Sequence, residues 1–249
     1  MLQLENITKS FGPVEVLKGV SFDIQGGEVH ALLGENGAGK STIMKIVSGY
    51  QPPSGGRMLL DGEPVRFASV ADATRHGVRM LYQELALAPD LTVAENLYLG
   101  ELGQWVNDQA LRDKAAAHLA SLGLDLRPEA VVRNLSVGSR QMVAIARALT
   151  GSPRFLVFDE PTAPLTAHET EQLFGFIRRI RASGVGIVYI SHRLEEVFQI
   201  ADRVTVLRDG RHIATAAVAD TSPEQVVEWM VGRSVLVRSR VAPPRDEQA

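Results

Sequence analysis

The chain has 249 residues, of which 45% are hydrophobic, and a formal net charge of -3. That is enough apolar material for one large α/β domain, or for a core carrying a smaller lobe, and it gives no general attraction to nucleic acid, which is gripped by clustered Lys and Arg. The absence of cysteine excludes disulfides and thiolate metal sites, and no apolar run approaches the ~20 residues of a membrane-spanning helix.

Met1–Asn6 lacks the basic and apolar regions of a signal peptide, so the chain is expected to stay where it is made and to act on a membrane only through a partner. Residues 1 to 27 read as short strands and turns, including Val14–Leu17 and Val20–Ile24. Phe11, just ahead of the first glycine-rich loop, serves either as a platform for a nucleotide base or as a core residue under a small sheet. Val29–Leu33 is an apolar strand and Ser41–Val47 an amphipathic helix stopped by Gly49.

Between them lies Gly34-Glu35-Asn36-Gly37-Ala38-Gly39-Lys40-Ser41-Thr42, which fits the phosphate-loop pattern G-x-x-x-x-G-K-[ST]. The glycines let backbone amides turn inward around an anion, Lys40 reaches the β- and γ-phosphates, and Ser41 can ligate Mg²⁺. The following helix adds its dipole to the same phosphate.

Arg57–Val65 is a hairpin turning at Asp61-Gly62, and with the first strands it is expected to complete an antiparallel sheet beside the nucleotide core. Val70–His76 is a short helix. Val78–Tyr82 is a buried-type strand that delivers Gln83 at its end, where polar groups face the ligand crevice of open α/β sheets. From 84 to about 150 the pattern turns helical. Thr92 with Glu95 forms a capping box, Asn107 caps 108–122, and Ser136 caps 137–149.

Arg154–Glu160 is a second apolar strand ending in acid, where a magnesium-holding Asp159 belongs in a P-loop nucleoside triphosphatase. Thr166 with Glu169 caps a helix running to about Ala182. Gly186–Ile190 is a third buried strand, and His192 at its end points toward the same crevice. A strand over Arg203–Arg208, a turn at Asp209-Gly210, His212–Ala214, and a helix capped by Ser222 complete the pattern. Residues 241 to 249 read as a frayed tail or the start of a linker.

In this order the elements resemble the ATP-binding cassette of ABC transporters over nearly the whole chain. Phe11 matches the aromatic A-loop, residues 34 to 42 the Walker A loop, Gln83 the Q-loop and Leu135-Ser136-Val137-Gly138-Ser139 the signature. Asp159-Glu160 matches Walker B and the catalytic carboxylate, Ala163–Thr166 the D-loop, and His192 the H-loop. Two stretches, Leu135–Arg147 and Ser191–Val204, look like the monosaccharide importers of the ribose, galactose, xylose, arabinose and fructose type.

The resemblance implies an α/β P-loop core with a mainly parallel sheet, an antiparallel β subdomain and a helical subdomain inserted at about 84–150. It makes residues 1 to 240 one ATPase domain. It also implies ATP and Mg²⁺ as ligands. Lys40, Phe11, Gly34, Glu35, Asn36, Gly37, Ala38, Gly39, Ser41 and Thr42 would hold the nucleotide, Ser41, Asp159 and Gln83 the metal. Glu160 would act as base, His192 would hold the γ-phosphate and Gln83 would sense it. Ser136 and Gly138 would donate to the γ-phosphate on a second cassette.

The implied partners are that second cassette, transmembrane permease subunits and, indirectly, a periplasmic sugar-binding protein. The implied location is the cytoplasmic face of the inner membrane. Three positions depart from the family pattern. Val137 replaces a signature Gly, Ser139 a Gln, and Thr166 the D-loop Asp; Val137 adds bulk where another protomer's phosphate should approach. Many such importers fuse two cassettes, and this sequence looks like the first of such a pair, either excised or acting alone as a dimer. Competing expectations are a soluble ABC-type ATPase of translation or repair, a regulatory cassette without turnover, and a small-molecule kinase.

Overall fold

The computed structural model describes residues 1–81, 86–100 and 107–232. Its centre is a six-stranded sheet of order β10-β9-β3-β8-β7-β6, built from β3 (Val29–Leu33), β6 (Val78–Leu81), β7 (Phe155–Asp159), β8 (Gly186–Ile190), β9 (Arg203–Arg208) and β10 (Arg211–Ala217). The strands from β6 to β9 run parallel and β10 is antiparallel at the edge. Strands β3 and β8 are buried at every position, as expected for a parallel sheet covered on both faces.

Side chains alternate between those faces. Val157, Val188 and Ile190 pack with Ile43, Met44 and Val47 of α1 (Lys40–Val47). Leu156, Phe158, Ile187 and Tyr189 pack against Leu173, Phe174 and Ile177 of α6 (Ala167–Ala182). Toward the β9 edge, Ala31, Leu33, Val204 and Val206 are covered by Val197 of α7 (Leu194–Ile200) and Val226 of α8 (Pro223–Val231).

A second, antiparallel sheet has the order β2-β1-β4-β5, made of β1 (Leu2–Phe11), β2 (Val14–Ile24), β4 (Gly55–Leu60) and β5 (Glu63–Val65). The two expected segments Val14–Leu17 and Val20–Ile24 are one continuous strand. Opposite the adjacent residues Ile7 and Thr8 stand Val20 and Lys18, which leaves Gly19 as the extra residue of a bulge. Gly19 takes a φ of 83°, so the pairing resumes beyond it. The hairpin at Asp61-Gly62 is as expected but begins two residues earlier, at Gly55.

The sheets are joined at Arg203. Its guanidinium lies 3.0 Å from both carboxylate oxygens of Asp23 on β2 and 3.3 Å from Glu28. This hydrogen bond from Arg203 holds the Asp23 carboxyl below the usual carboxylate range, against the opposing effect of burial. Burial raises Glu28, but hydrogen bonds from His30 and the Gln25 amide outweigh it and its carboxyl also lies low.

A group with a depressed folded-state pKa stabilises the fold above its unfolded value, about 4 for a carboxyl, and that stability is lost as pH falls through the folded value. Arg203→Leu is therefore expected to move the acid-unfolding midpoint, followed by circular dichroism, to higher pH. An unmoved midpoint would show that the pair carries no stability.

Helices α3 (Val93–Tyr98), α4 (Asp108–Ser121) and α5 (Val137–Leu149) form their own cluster through Val93, Leu97, Ala115, Leu119, Val143 and Ala146. Helix α5 joins it to the core, since its Ala144 and Ile145 pack in the cluster beneath α6. The start signals read from sequence are present. Thr92 and Glu95 form a capping box, Asn107 caps α4, Ser136 caps α5, and Thr166 with Glu169 forms a second capping box.

Candidate functional site

The glycine-rich loop leaves the end of β3 and enters α1 through Gly39, which sits at the N-cap with a φ of 103°. The positive φ calls for glycine there, and a Cβ would in addition press on the end of the Leu17 side chain at 2.6 Å. Helix α1 has no capping side chain and no acid in its first turn. Its leading amides are thus offered to an external anion, and the helix dipole favours one.

Lys40 folds back over the loop. Its Nζ donates to the carbonyls of Gly34 at 2.7 Å and Glu35 at 3.0 Å. Burial lowers the lysine pKa, and the charges of Glu160 and Asp159 oppose that shift, so the ammonium is poised beside two carboxylates.

Those carboxylates come from the end of β7. Burial, then the neighbouring Glu160 charge, raises the Asp159 pKa, with Lys40 and Lys45 pulling it back. Glu160 leaves the strand in the left-handed region at φ 47°, rare for a non-glycine residue and costing on the order of 1–3 kcal/mol. Its amide donates to the Ile190 carbonyl at 3.0 Å, and its carboxylate lies 3.2 Å from Nδ1 of His192.

Asn36, Lys40, Ser41, Thr42, Asp159 and Glu160 together line a cavity of about 210 Å³. It is mostly polar, lies at the ends of parallel strands, and contains both a cation and paired carboxylates. Among the described residues no group of three or more His, Cys, Asp or Glu could cage a metal. Mg²⁺, however, is ordinarily held by one or two protein oxygens together with substrate phosphates, and Ser41 and Asp159, which line the same cavity, fit that mode.

Gly37 and Gly39 of the loop line the same cavity, and other expected site residues fall outside it. Phe11 is 50% exposed at the tip of the β1–β2 hairpin, with Lys9 Nζ 5.2 Å from its ring centre. It is not a core residue, nor does it line the cavity; Val16 of β2, which sequence alone did not single out, does line it. Gln83 lies outside the described residues.

Ser136 and Gly138 open onto a different cavity of about 480 Å³, shared with Glu169 and Arg179. Ser136 Oγ accepts from the Ser139 amide at 3.1 Å, and the Gly138 amide donates to Glu169 Oε1 at 3.1 Å. Val137 beside them is exposed. Glu169 was legible as the capping partner of Thr166, but its second contact, from α6 to the start of α5, was not.

Glu196 was also missed. This carboxylate on α7 is buried and accepts hydrogen bonds from the segments that flank Glu160 and His192. As an acid in the first turn of a helix it reads from sequence as a dipole partner.

The sequence pattern of the ABC transporter family matches residues 17–163. The ribose import ATP-binding protein of Agrobacterium fabrum is 48% identical over 249 residues, covering 98% of this chain and 48% of that protein. The chain spans about half the length of the curated relatives it matches. Among solved structures, an ATP-binding cassette of an ABC transporter in its ADP conformation superposes with a TM-score of 0.83 at 28% identity, over 94% of this chain and 99% of that one.

A second cassette, dimeric and in a post-hydrolysis state with ADP and Pi, superposes with a TM-score of 0.72 at 26% identity, over 88% and 99%. From the family match, the near-full-length likeness and the shared α/β architecture, the chain belongs to the ABC transporter family and has the fold of its ATP-binding cassettes.

Proposed function

We propose that this cassette binds ATP with Mg²⁺ and hydrolyses it to drive a membrane permease that imports a monosaccharide. The observation that carries the reading is the convergence of Lys40, Ser41, Asp159 and Glu160 on one polar cavity, with His192 against Glu160. Likeness to a ribose import protein supports the cargo class, and likeness to a dimeric cassette supports action in pairs. In this reading residues 1 to 240 are one ATPase domain with the helical lobe of about 84–150 inserted, and residues 241 to 249 are a tail or linker.

Loop amides from Gly34 to Thr42 and the Lys40 ammonium hold the β- and γ-phosphates. Mg²⁺, held by Ser41, Asp159 and Gln83 with phosphate oxygens, would neutralise charge as the phosphoryl group transfers, and Gln83 would sense the γ-phosphate. Glu160 takes the proton of the attacking water, and His192 both orients Glu160 and faces the γ-phosphate. Ser136 and Gly138 act on the ATP of a second cassette. For the Gly138 amide to reach that phosphate, Glu169 must release it.

The permease would dock its cytoplasmic helices near Gln83 and the groove of about 410 Å³ that Leu97, Leu99 and Arg147 line. A periplasmic sugar-binding protein would deliver cargo on the far side, placing the cassette peripherally at the cytoplasmic face of the inner membrane. A cassette that binds ATP but turns over weakly is the second reading, favoured by the occupied Gly138 amide and the bulk of Val137.

The test is ATP-driven uptake of labelled ribose, galactose, xylose, arabinose and fructose into proteoliposomes holding the whole transporter. Uptake of one of these sugars that stops without ATP supports import. Phosphate release with no uptake of any of them would remove the monosaccharide reading.

Phe11, exposed on its hairpin, is assigned to stacking on the base. Base stacking on an aromatic is worth about 1–3 kcal/mol, so Phe11→Ala should weaken ATP binding about 5- to 100-fold with little change in melting temperature. An unchanged ATP affinity would leave Phe11 without that role.

A further inference from the structure

Glu196 stands in the first turn of α7 and is 6% exposed. A buried carboxylate is costly unless its oxygens are satisfied, and here they are satisfied by an unusual set of neighbours. Thr162 Oγ1 lies 2.8 Å from one oxygen and 2.9 Å from the other. Tyr189 Oη donates at 2.8 Å, Ser191 Oγ at 2.9 Å and Arg193 Nη1 at 3.2 Å. Thr162, Tyr189 and Ser191 are themselves buried. Burial, with the Glu196 charge beside it, pushes the Tyr189 hydroxyl well above its ordinary pKa, which keeps it a donor.

These donors come from the two segments that carry the proposed chemistry. Thr162 follows Glu160 by two positions at the end of β7, while Ser191 and Arg193 flank His192 at the end of β8. The Ser191 hydroxyl also accepts the Arg193 amide at 3.0 Å, which closes the backbone around His192 into a tight turn. His192 is itself exposed, so little packing fixes its ring, and Glu160 holds a strained backbone conformation. The Glu160 amide ties its backbone to Ile190, but the segments that follow, 161–162 and 191–193, still need a tie that keeps the two side chains 3.2 Å apart.

We propose that Glu196 is a positioning residue: its carboxylate ties the segment after Glu160 to the turn that presents His192, and so holds the base and the histidine in mutual register. This rests on the reading of Glu160 and His192 as acting on ATP. Glu196 does not line the cavity of Lys40 and Asp159; it acts through Thr162 and Ser191. A displacement of about 1 Å at a reacting group can cost on the order of 100-fold in rate, which sets the scale of the effect.

The experiment compares wild type, Glu196→Gln, Thr162→Val and Thr162→Ser in the full-length protein assembled with its membrane partners. Glu160→Gln serves as a control. The readouts are kcat and KM for ATP, ATP affinity by titration, and melting temperature. Glutamine keeps the shape of Glu196 but turns one acceptor into a donor facing hydroxyls, and valine keeps the shape of Thr162 but removes its hydroxyl.

Glu196→Gln and Thr162→Val should lower kcat about 10- to 100-fold with KM and ATP affinity within about twofold of wild type, and Thr162→Ser should restore most of the rate. If instead the melting temperature falls while kcat per ATP-binding site stays at the wild-type value, Glu196 merely fastens α7 and the proposal is overturned. Wild-type turnover in Glu160→Gln would sink the underlying reading of the site, a failure this control separates from failure of Glu196 alone.

Discussion

Glu160→Gln should leave ATP affinity within about twofold of wild type and cut phosphate release by about 10²- to 10⁴-fold, the usual contribution of a positioned general base. The substitution preserves shape, so the amide that bonds the Ile190 carbonyl and the backbone at φ 47° stay where they are. What it removes is the oxygen that would accept a proton from water. Binding depends instead on the Lys40 ammonium and the amides leading into α1, none of which the change touches. It also withdraws a negative charge from beside Asp159 and from a cavity meant for a triphosphate, so any drift in affinity should be toward tighter binding. A titration with fluorescent ATP analogue and a phosphate-release assay on the same preparation separate the two effects. Full turnover in this variant would take Glu160 out of the mechanism.

Lys40→Ala has the opposite signature, because binding fails along with turnover. A hydrogen bond to a charged group is worth about 1.5–3 kcal/mol, so ATP affinity should fall about 10- to 100-fold. The rate at saturating ATP should fall further, on the order of 10²- to 10³-fold, the cost of losing one donor aimed at developing charge. The same change removes the donor to the Gly34 and Glu35 carbonyls, which brace the loop. Lys40→Arg should not rescue it, since a planar fork does not replace a compact ammonium that bonds two carbonyls of a tight loop. Isothermal calorimetry with ATP measures the first effect directly. Wild-type affinity in Lys40→Ala would mean that the phosphates lie elsewhere.

Much of this architecture was legible because local signals agreed with one another. The strands Val29–Leu33, Phe155–Asp159 and Gly186–Ile190 announce themselves as apolar runs because both faces of a parallel sheet are covered. The five capping residues Thr92, Asn107, Ser136, Thr166 and Ser222 mark helix starts because a hydroxyl or amide oxygen must meet orphan backbone amides. The cavity was foreseeable for a similar reason: the glycine loop and the acids of β7 are both fixed to strand ends, and parallel strands bring their ends together.

What could not be read were contacts whose partners are distant in sequence. Lys18-Gly19 reads as a break between two strands, and only the partner β1 reveals a bulge in one. Phe11 left two roles open, and its exposure removes the core one. Glu169 reaching from α6 to the Gly138 amide, and Glu196 gathering hydroxyls from two strand ends, depend on how helices pack on the sheet. No pattern along the chain encodes either. Ser136 and Gly138 open on a cavity separate from that of Lys40 and Asp159.

That separation makes one measurement decisive: the rate of phosphate release per chain from the cassette alone, held monomeric and monitored by light scattering, against the same chain assembled with a second cassette and its permease. A half-site whose other half lies on another cassette should bind ATP in both states and hydrolyse it at least about tenfold faster when assembled. Equally brisk turnover by the monomer would contradict it.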